Sequence, residues 1–393
     1  MKKQRNSMKN LYFEIASAQL NKYNEELCGD SIMSHQGTNA STLILSDGLG
    51  SGVKANILAT LTSRIISVML KNGSELYDVV ETLIDTLPTC SYRKLAYSTF
   101  SVAQMYNTGT IHLVEYDNPP AIIIKKNKFY PIEYNNLEIL GKNINEAIVK
   151  IEPGDWLVLV SDGEVHAGIG GVWNLGWSWE RIAEFIERIV QKPLSAHELA
   201  FELTNIAHQL YAGKPGDDTS VAVVKIREKK RLKVLIGAPA KKELDKFVVN
   251  RFMSEDTRKV VCGGTTSNIV GRILGQEVGV DMDSIKPGIP PIGMIKGIDL
   301  VTEGIITISS ILKILGVDEE IPMQVLGRNH DGVSMLLKEL LDSDEITFLV
   351  GQAMNPAHQN PGIPKEFGLK TKITEDIAKH LSKLGKHVEI EYY

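Results

Sequence analysis

The sequence predicts an α+β domain of sheets covered by helices, followed by a smaller α/β domain. From Phe13 to about Ile226, strand patterns alternate with two blocks of helical pattern, an order typical of sheets with helices on their outer faces. From Leu232 onward, single strands and single helices alternate. At 393 residues the chain exceeds one typical core. The charged run 227–231 separates the patterns, so we predict domains 1–228 and 229–393.

In the first domain, two segments carry apolar residues at helical spacing, Val53–Leu70 and Glu75–Leu87. Ser98–Met105 and Thr110–Tyr116 are strand patterns on either side of Asn107-Thr108-Gly109. Such a short polar segment with glycine predicts a hairpin.

A further helix is predicted over Trp179–Val190, and Ser195 and Glu198 have the spacing of a capping box that begins another. The second domain has alternating patterns of its own, with Thr374 expected to cap a helix between the last two strands. These segments are Lys233–Gly237, Lys242–Phe252, Lys259–Cys262, Ser267–Leu274, Ile346–Val350 and Val388–Ile390.

Four aspartates stand at predicted strand ends in the first domain. Asp47 follows the apolar run Leu43–Leu45 and precedes Gly48, and Asp162 follows Trp156–Val160. Asp30 and Asp217 lie in two further acidic turns, Gly29-Asp30 and Gly216-Asp217-Asp218. Carboxylate oxygens are the ligands that hard divalent cations prefer. The pattern therefore indicates a two-metal hydrolytic site, in which the ions are roughly 3.5–4 Å apart.

These motifs resemble, in order and spacing, the metal-dependent PPM-type serine/threonine phosphatases, and most closely their bacterial SpoIIE/RsbU branch. The resemblance covers about residues 11 to 228 and does not extend to the second domain. It rests on five segments: Cys28-Gly29-Asp30, residues 46–55 (SDGLGSGVKA), residues 117–121 (DNPPA), residues 154–163 (GDWLVLVSDG) and residues 216–220 (GDDTS).

The resemblance implies a β-sandwich flanked by helices in α-β-β-α layers, with two Mn²⁺ or Mg²⁺ ions between the sheets. It also implies that a metal-bound hydroxide attacks phosphorus directly. The ligands carried over by position are Asp30, Asp47, Asp162 and Asp217, with the carbonyl of Gly48. Asp218 is not the carried-over member of its pair. In this branch the helices after Asp47 shift to complete the metal site.

Other interpretations of the motifs fit the residues less well. A single Asp-Gly is ordinarily a turn in which the aspartate bonds its own backbone, and only the four together favour metal. Residues 48–54 lack the glycine that a phosphate-binding P-loop places before its lysine, and they lack the third glycine of a dinucleotide fingerprint. Neither the arginine that holds phosphate in eukaryotic-type enzymes nor a histidine acid beside Asp47 can be matched.

The second domain contains a run of small and hydroxyl residues between a strand and a helix: Gly263, Gly264, Thr265, Thr266 and Ser267. Backbone amides at a helix N-terminus bind anions, so this run is a candidate site for a small anionic ligand. The alternative is a tight turn with Ser267 as the N-cap.

Composition excludes several classes of function. The balance of 43 Lys and Arg against 48 Asp and Glu gives a net charge of −5, which offers no basic field for nucleic acid. Three separated cysteines indicate neither a disulfide framework nor a zinc site, and a reducing cytoplasm fits them. The two most apolar stretches are interrupted by Arg64 and Glu303, so we expect no membrane segment.

The favoured hypothesis is a cytoplasmic phosphatase that hydrolyses phosphoserine or phosphothreonine on a regulatory partner protein in bacterial signalling. Two alternatives stay open. The phosphatase fold could be a catalytically silent binding module with a ligand-sensing second domain, or the second domain could be an enzyme regulated by the first.

Overall fold

The computed structural model describes residues 11–37, 39–86, 98–170, 176–284, 291–316, 331–353 and 365–393. The chain forms two compact units, Met1–Glu228 and Lys229–Tyr393. Each unit has its own sheets and hydrophobic cores.

The first unit contains two antiparallel sheets. One has five strands in the order β1-β11-β10-β6-β7, where the strands are β1 (Leu11–Leu20), β6 (Ile122–Lys125), β7 (Lys128–Tyr130), β10 (Trp156–Val160) and β11 (Thr219–Glu228). The other has six strands in the order β2-β3-β4-β5-β9-β8, where the strands are β2 (Asp30–Gln36), β3 (Ala40–Gly48), β4 (Ser98–Tyr106), β5 (Thr110–Tyr116), β8 (Asn135–Ile139) and β9 (Lys142–Lys150).

The two sheets pack face to face because alternate residues of their strands are apolar on the shared side. Leu43 and Leu45 of β3 lie in one buried cluster with Leu157 and Leu159 of β10. The opposite face of each sheet has its own cluster with helices. The predicted β-sandwich flanked by helices is therefore confirmed.

Two helices cover each outer face. They are α1 (Gly52–Lys71) and α2 (Leu76–Thr86) on the six-stranded sheet, and α4 (Trp179–Ile189) and α5 (Ala196–Leu210) on the five-stranded sheet. The capping box at Ser195 and Glu198 is confirmed, since each side chain bonds the other residue's backbone amide. A one-turn helix, α3 (Asp162–Val165), stands where the sequence predicted only a turn.

Helix α1 is the one described helix whose length and composition would allow it to cross a membrane. Ala55, Ala59 and Ile66 on one side of it are buried, and the helix packs against β2 and β3. Those contacts make α1 a covering helix of the sandwich.

The second unit is a doubly wound α/β sheet in which the strands run in the order β14-β15-β16-β13-β12-β17-β18. From β16 to β18 the neighbours are all parallel. The strands are β12 (Arg231–Ile236), β13 (Arg258–Cys262), β14 (Gly279–Val280), β15 (Gly293–Met294), β16 (Leu300–Thr302), β17 (Glu345–Val350) and β18 (His387–Tyr392).

Helices cover both faces of this sheet. One face carries α6 (Asp245–Met253) and α7 (Gly264–Leu274). The other carries α8 (Ile305–Leu315), α9 (Gly332–Asp342) and α10 (Lys365–Lys383). The α/β layout predicted for this domain is confirmed.

Two helix caps considered in the second unit are not observed: the predicted cap at Thr374 was wrong, and so was the alternative that made Ser267 an N-cap. Thr374 lies inside α10, fully buried, and its hydroxyl donates to the carbonyl of Lys370. Ser267 lies inside α7, whose N-cap is Gly263, and its hydroxyl donates to the carbonyl of Gly264. In both cases the hydroxyl donates a hydrogen bond to a backbone carbonyl of the preceding helical turn, an arrangement that Ser and Thr adopt inside helices as well as capping them.

Candidate metal centre

The two sheets of the sandwich each contribute two of the four predicted aspartates. Asp30 begins β2 and lies directly opposite Asp47 of β3 in the antiparallel register. Asp162 lies two residues after the end of β10, and Asp217 lies two residues before the start of β11, which is the neighbour of β10. The aspartates therefore come from strand ends in both layers.

The charges of these aspartates act on one another, which places them in a single cluster. Burial first, and then the charges of Asp30, Asp162 and Asp217, together raise the pKa of Asp47 to about 9. Burial also raises the pKa of Asp30 to about 6, with smaller contributions from Asp218 and Asp162. The pKa of Asp162 is raised by burial and then by Asp217. Like charges held together in this way favour a bound cation.

The donor set fits a hard divalent cation. Asp30 is 3% exposed, and neither of its carboxylate oxygens forms a hydrogen bond of normal geometry. Buried carboxylate oxygens without donors are costly unless a cation or proton satisfies them. Within the described parts of the chain, however, no three His, Cys, Asp or Glu side chains already surround one point. The side chains would have to rotate to hold an ion.

Close backbone packing explains the glycines that follow two of the aspartates. A Cβ atom on Gly48 would collide with the carbonyl oxygen of Ala55 in α1. A Cβ atom on Gly163 would collide with the carbonyl oxygen of Asp218. Glycine thus lets α1 approach the end of β3, and it lets the turn before β11 approach α3. The predicted role of the Gly48 carbonyl as a ligand stays a prediction.

Asp217 and Asp218 have different surroundings. Asp217 is half-exposed, and its Oδ1 lies 3.6 Å from the ammonium of Lys22. Asp218 is 4% exposed; its Oδ1 accepts the Lys22 amide at 3.0 Å, and its Oδ2 has no hydrogen-bond partner. Sequence analysis set Asp218 aside, yet its charge raises the pKa of Asp30. In the sequence, the only indication that Asp218 takes part in the cluster is its position next to Asp217.

Glu164 is a second acidic residue that sequence analysis missed. It is fully buried next to the Asp162 turn, and neither carboxylate oxygen has a hydrogen-bond partner. Burial raises its pKa well above the ordinary value, because a charged carboxylate is poorly solvated there. Nothing in a Ser-Asp-Gly-Glu string indicates that the last carboxyl points inward.

In the second unit, the predicted anion-binding run forms the turn from β13 into α7. Gly263 has a φ of 111°, a conformation that favours glycine, and no side chain caps the helix. Gly264 and Thr265 are exposed, whereas Thr266 and Ser267 are buried. The assignment of a ligand to these five residues stays a prediction.

Comparison with known proteins identifies one family. Residues 38–227 match the family model for stage II sporulation protein E (SpoIIE). The match covers all the aspartate motifs except Gly29-Asp30 and does not extend into the second unit. A search of curated proteins found no match.

Several solved structures are similar to part of the chain. The PP2C phosphatase domain with a regulatory fragment of SpoIIE from Bacillus subtilis is 19% identical, covers 56% of this chain and 63% of that chain, and has a TM-score of 0.48. This chain thus spans less than two thirds of that relative. The RsbU and RsbW domains of a Mycobacterium tuberculosis protein are 15% identical, with coverage of 61% and 67% and a TM-score of 0.47. RsbX in complex with magnesium is 17% identical, with coverage of 55% and 99% and a TM-score of 0.40.

Proposed function

From the match of residues 38–227 to the SpoIIE family model, we propose that the first unit is a metal-dependent phosphoprotein phosphatase acting on phosphoserine or phosphothreonine. The observation that carries the proposal is the cluster of four aspartates, two from each sheet of the sandwich. Its substrate would be a phosphorylated regulatory protein in the bacterial cytoplasm.

In this proposal Asp30, Asp47, Asp162 and Asp217 hold two divalent cations, Mn²⁺ or Mg²⁺, together with the Gly48 carbonyl. When bound, such ions supply an activated water and neutralise the phosphate oxygens. The chain's own part is to hold several carboxyl groups close together, where a bound cation would favour their ionised form. Asp30 and Asp47 do this from paired strands, so that their backbone separation is set by the sheet.

We also infer that α1 controls the site. The helix starts four residues after Gly48, and Gly48 packs against the backbone of Ala55 in its first turns. A shift of α1 would therefore displace Gly48 and the neighbouring Asp47. Because the present side chains do not surround one point, such a shift would allow a partner or ligand to switch activity.

The direct test is hydrolysis of para-nitrophenyl phosphate and of a phosphoserine peptide in the presence of Mn²⁺. We expect turnover by the wild type and a loss of at least about 100-fold in Asp162→Asn, because a carboxylate ligand becomes a neutral amide. Asp117→Asn is the matched control, since Asp117 is exposed and outside the cluster. Equal turnover by wild type and Asp162→Asn would refute the proposal.

The competing candidate is a silent binding module that keeps the phosphatase fold. The observation that favours it is that no three carboxylates converge on one point among the described residues. Titration calorimetry separates the two candidates. Saturable binding of Mn²⁺ or Mg²⁺ that is weakened by Asp47→Asn supports the enzyme, whereas no specific binding of either ion supports the module.

A further inference from the structure

The parallel sheet of the second unit has a point at which its connections diverge. From β12 the chain continues through α6 to β13 and then to β16, on one side of β12. From β17, on the other side of β12, it continues through α10 to β18. In open α/β sheets, ligands bind at the carboxyl ends of the two strands between which the connections diverge. Here those ends are Ile236 and Val350.

The loops that leave these two strand ends touch through their backbones. The amide of Gly351 donates to the carbonyl of Ile236 at 2.8 Å, and the amide of Ala353 donates to the carbonyl of Ala238 at 3.0 Å. Gly237 has a φ of 81°, so glycine is required for its conformation as well. These backbone hydrogen bonds hold the two loops together at this edge of the sheet.

The side chain of Lys370 in α10 places its ammonium group against these loops. A Cβ atom on Gly237 would collide with Lys370 Nζ and would lie 3.1 Å from the carbonyl oxygen of Gly351. The ammonium is therefore packed against the first loop at the carboxyl end of β12. The lysine is 9% exposed, and burial lowers its pKa below the ordinary value.

Among the residues that the structure describes, none is a counter-ion to the Lys370 ammonium. Neither a hydrogen bond nor an ion pair joins the ammonium to any residue in the described parts of the chain, and burial is the one cause that lowers its pKa. The two other most buried lysines differ, because Lys233 and Lys259 donate to backbone carbonyls. The next residue of α10, Thr371, has a buried hydroxyl that is also without a partner. A buried charge of this kind is costly unless something else satisfies it.

We propose that the second unit binds a small phosphate-bearing molecule at the carboxyl ends of β12 and β17, with the anion held by Lys370. This site lies at a different pair of strands from the β13–α7 turn that the sequence suggested. It does not depend on the phosphatase activity of the first unit. Three observations coincide at this place: an ammonium without a partner among the described residues, two loops that bond through their backbones, and the divergence of the sheet connections.

The test is thermal unfolding of the full chain in the presence of EDTA, with inorganic phosphate, pyrophosphate, AMP or ATP as the probe. EDTA removes the divalent ions through which the aspartate cluster could hold phosphate, so the two sites are separated. We expect at least one probe to raise the melting temperature of the wild type in a saturable manner. Tighter binding of AMP than of phosphate would identify a nucleotide, and equal binding would identify the bare anion.

Lys370→Met should weaken the binding of that probe by roughly 10- to 100-fold, because a hydrogen bond to a charged group is lost. Without a probe, we expect this variant to melt at a higher temperature than the wild type, because methionine removes the unpaired charge. Lys379→Met is the matched control: Lys379 is exposed on the same helix, and its loss should leave probe binding unchanged.

Three results would overturn the proposal. They are the absence of a shift with all four probes, an equal shift in wild type and Lys370→Met, and a lower melting temperature of Lys370→Met without a probe. The last result would assign Lys370 to the packing of α10.

Discussion

At the scale of single residues, the sequence predicted which carboxylates matter better than it predicted their surroundings. Asp30, Asp47, Asp162 and Asp217 could be chosen because each stands beside a glycine turn at a strand end, and both features are local. Their mutual effect on pKa depends on two sheets meeting, which no local pattern encodes. The burial of Glu164 depends on the same long-range packing.

Glu115 is a buried acid away from the aspartate cluster. It lies in β5 at 1% exposure; its Oε1 accepts the amide of Ala121 at 2.8 Å, and its Oε2 forms no hydrogen bond of normal geometry, although the Tyr134 hydroxyl lies near the carboxyl. Burial raises its pKa from 4.5 to about 7. The folded state therefore holds the proton more tightly than the unfolded state. This contribution to stability is fully present below pH 4.5 and is lost as the pH rises through about 7.

We predict that Glu115→Gln stabilises the protein at alkaline pH. The amide cannot ionise and still accepts from Ala121, so the variant should gain up to about 3 kcal/mol over wild type near pH 8 and little near pH 4.5. Urea unfolding of both proteins across this range is the measurement. A stability difference independent of pH would show that Glu115 does not titrate in this way.

At the scale of elements, the sequence predicted correctly those turns that require particular residues, such as glycine at a positive φ. The hairpin at Asn107-Thr108-Gly109 is confirmed: β4 and β5 pair across it, and Gly109 has a φ of 93°. The helices predicted after Asp47 are confirmed as α1 and α2. Short strands such as β16 were missed because Leu300–Thr302 reads as part of a longer apolar run.

The contact between β3 and α1 makes a specific prediction about Gly48. Gly48→Ala should cost about 1–3 kcal/mol or more, because the new methyl group meets the backbone of Ala55, which a side-chain rotation cannot relieve. Phosphatase activity should fall with it as α1 moves away from Asp47. Both are measured by thermal unfolding and by the Mn²⁺-dependent assay.

Gly368→Ala is the control for this substitution. Gly368 lies in α10 with no atom within 4 Å of an added Cβ, and it is not among the glycines with positive φ. Alanine there should raise stability by roughly 0.5–1 kcal/mol, since it favours the helix. A Gly48→Ala variant as stable and active as wild type would show that α1 can separate from β3 without consequence.

At the scale of the whole molecule, the sequence indicated two kinds of architecture but not the order of their strands. The alternation of single strands and helices predicted an α/β layout in the second unit. The position of β12 between β13 and β17 depends on which way each connection turns, and both directions give the same pattern of residues. The position of Lys370 at that point could not be predicted for the same reason.

Because each unit has its own hydrophobic cores, we predict two calorimetric unfolding transitions for the full chain. Mn²⁺ should raise the temperature of one transition, and the phosphate-bearing probe that binds at Lys370 should raise the other. Asp162→Asn should abolish only the first response and Lys370→Met only the second. A single transition that responds to both ligands would contradict independent folding.

The origin of the four aspartates in two different layers has a mechanical consequence. Asp30 and Asp47 belong to the six-stranded sheet, whereas Asp162 and Asp217 adjoin the five-stranded one. Cations held by all four would link the two sheets at the edge of the sandwich where these aspartates lie. If a chelator removes the cations, the carboxylates at this edge would repel one another. Backbone amide hydrogens at this edge should then exchange faster in chelator than in Mn²⁺. The same pair of ions would thus take part in hydrolysis and stabilise the contact between the two sheets.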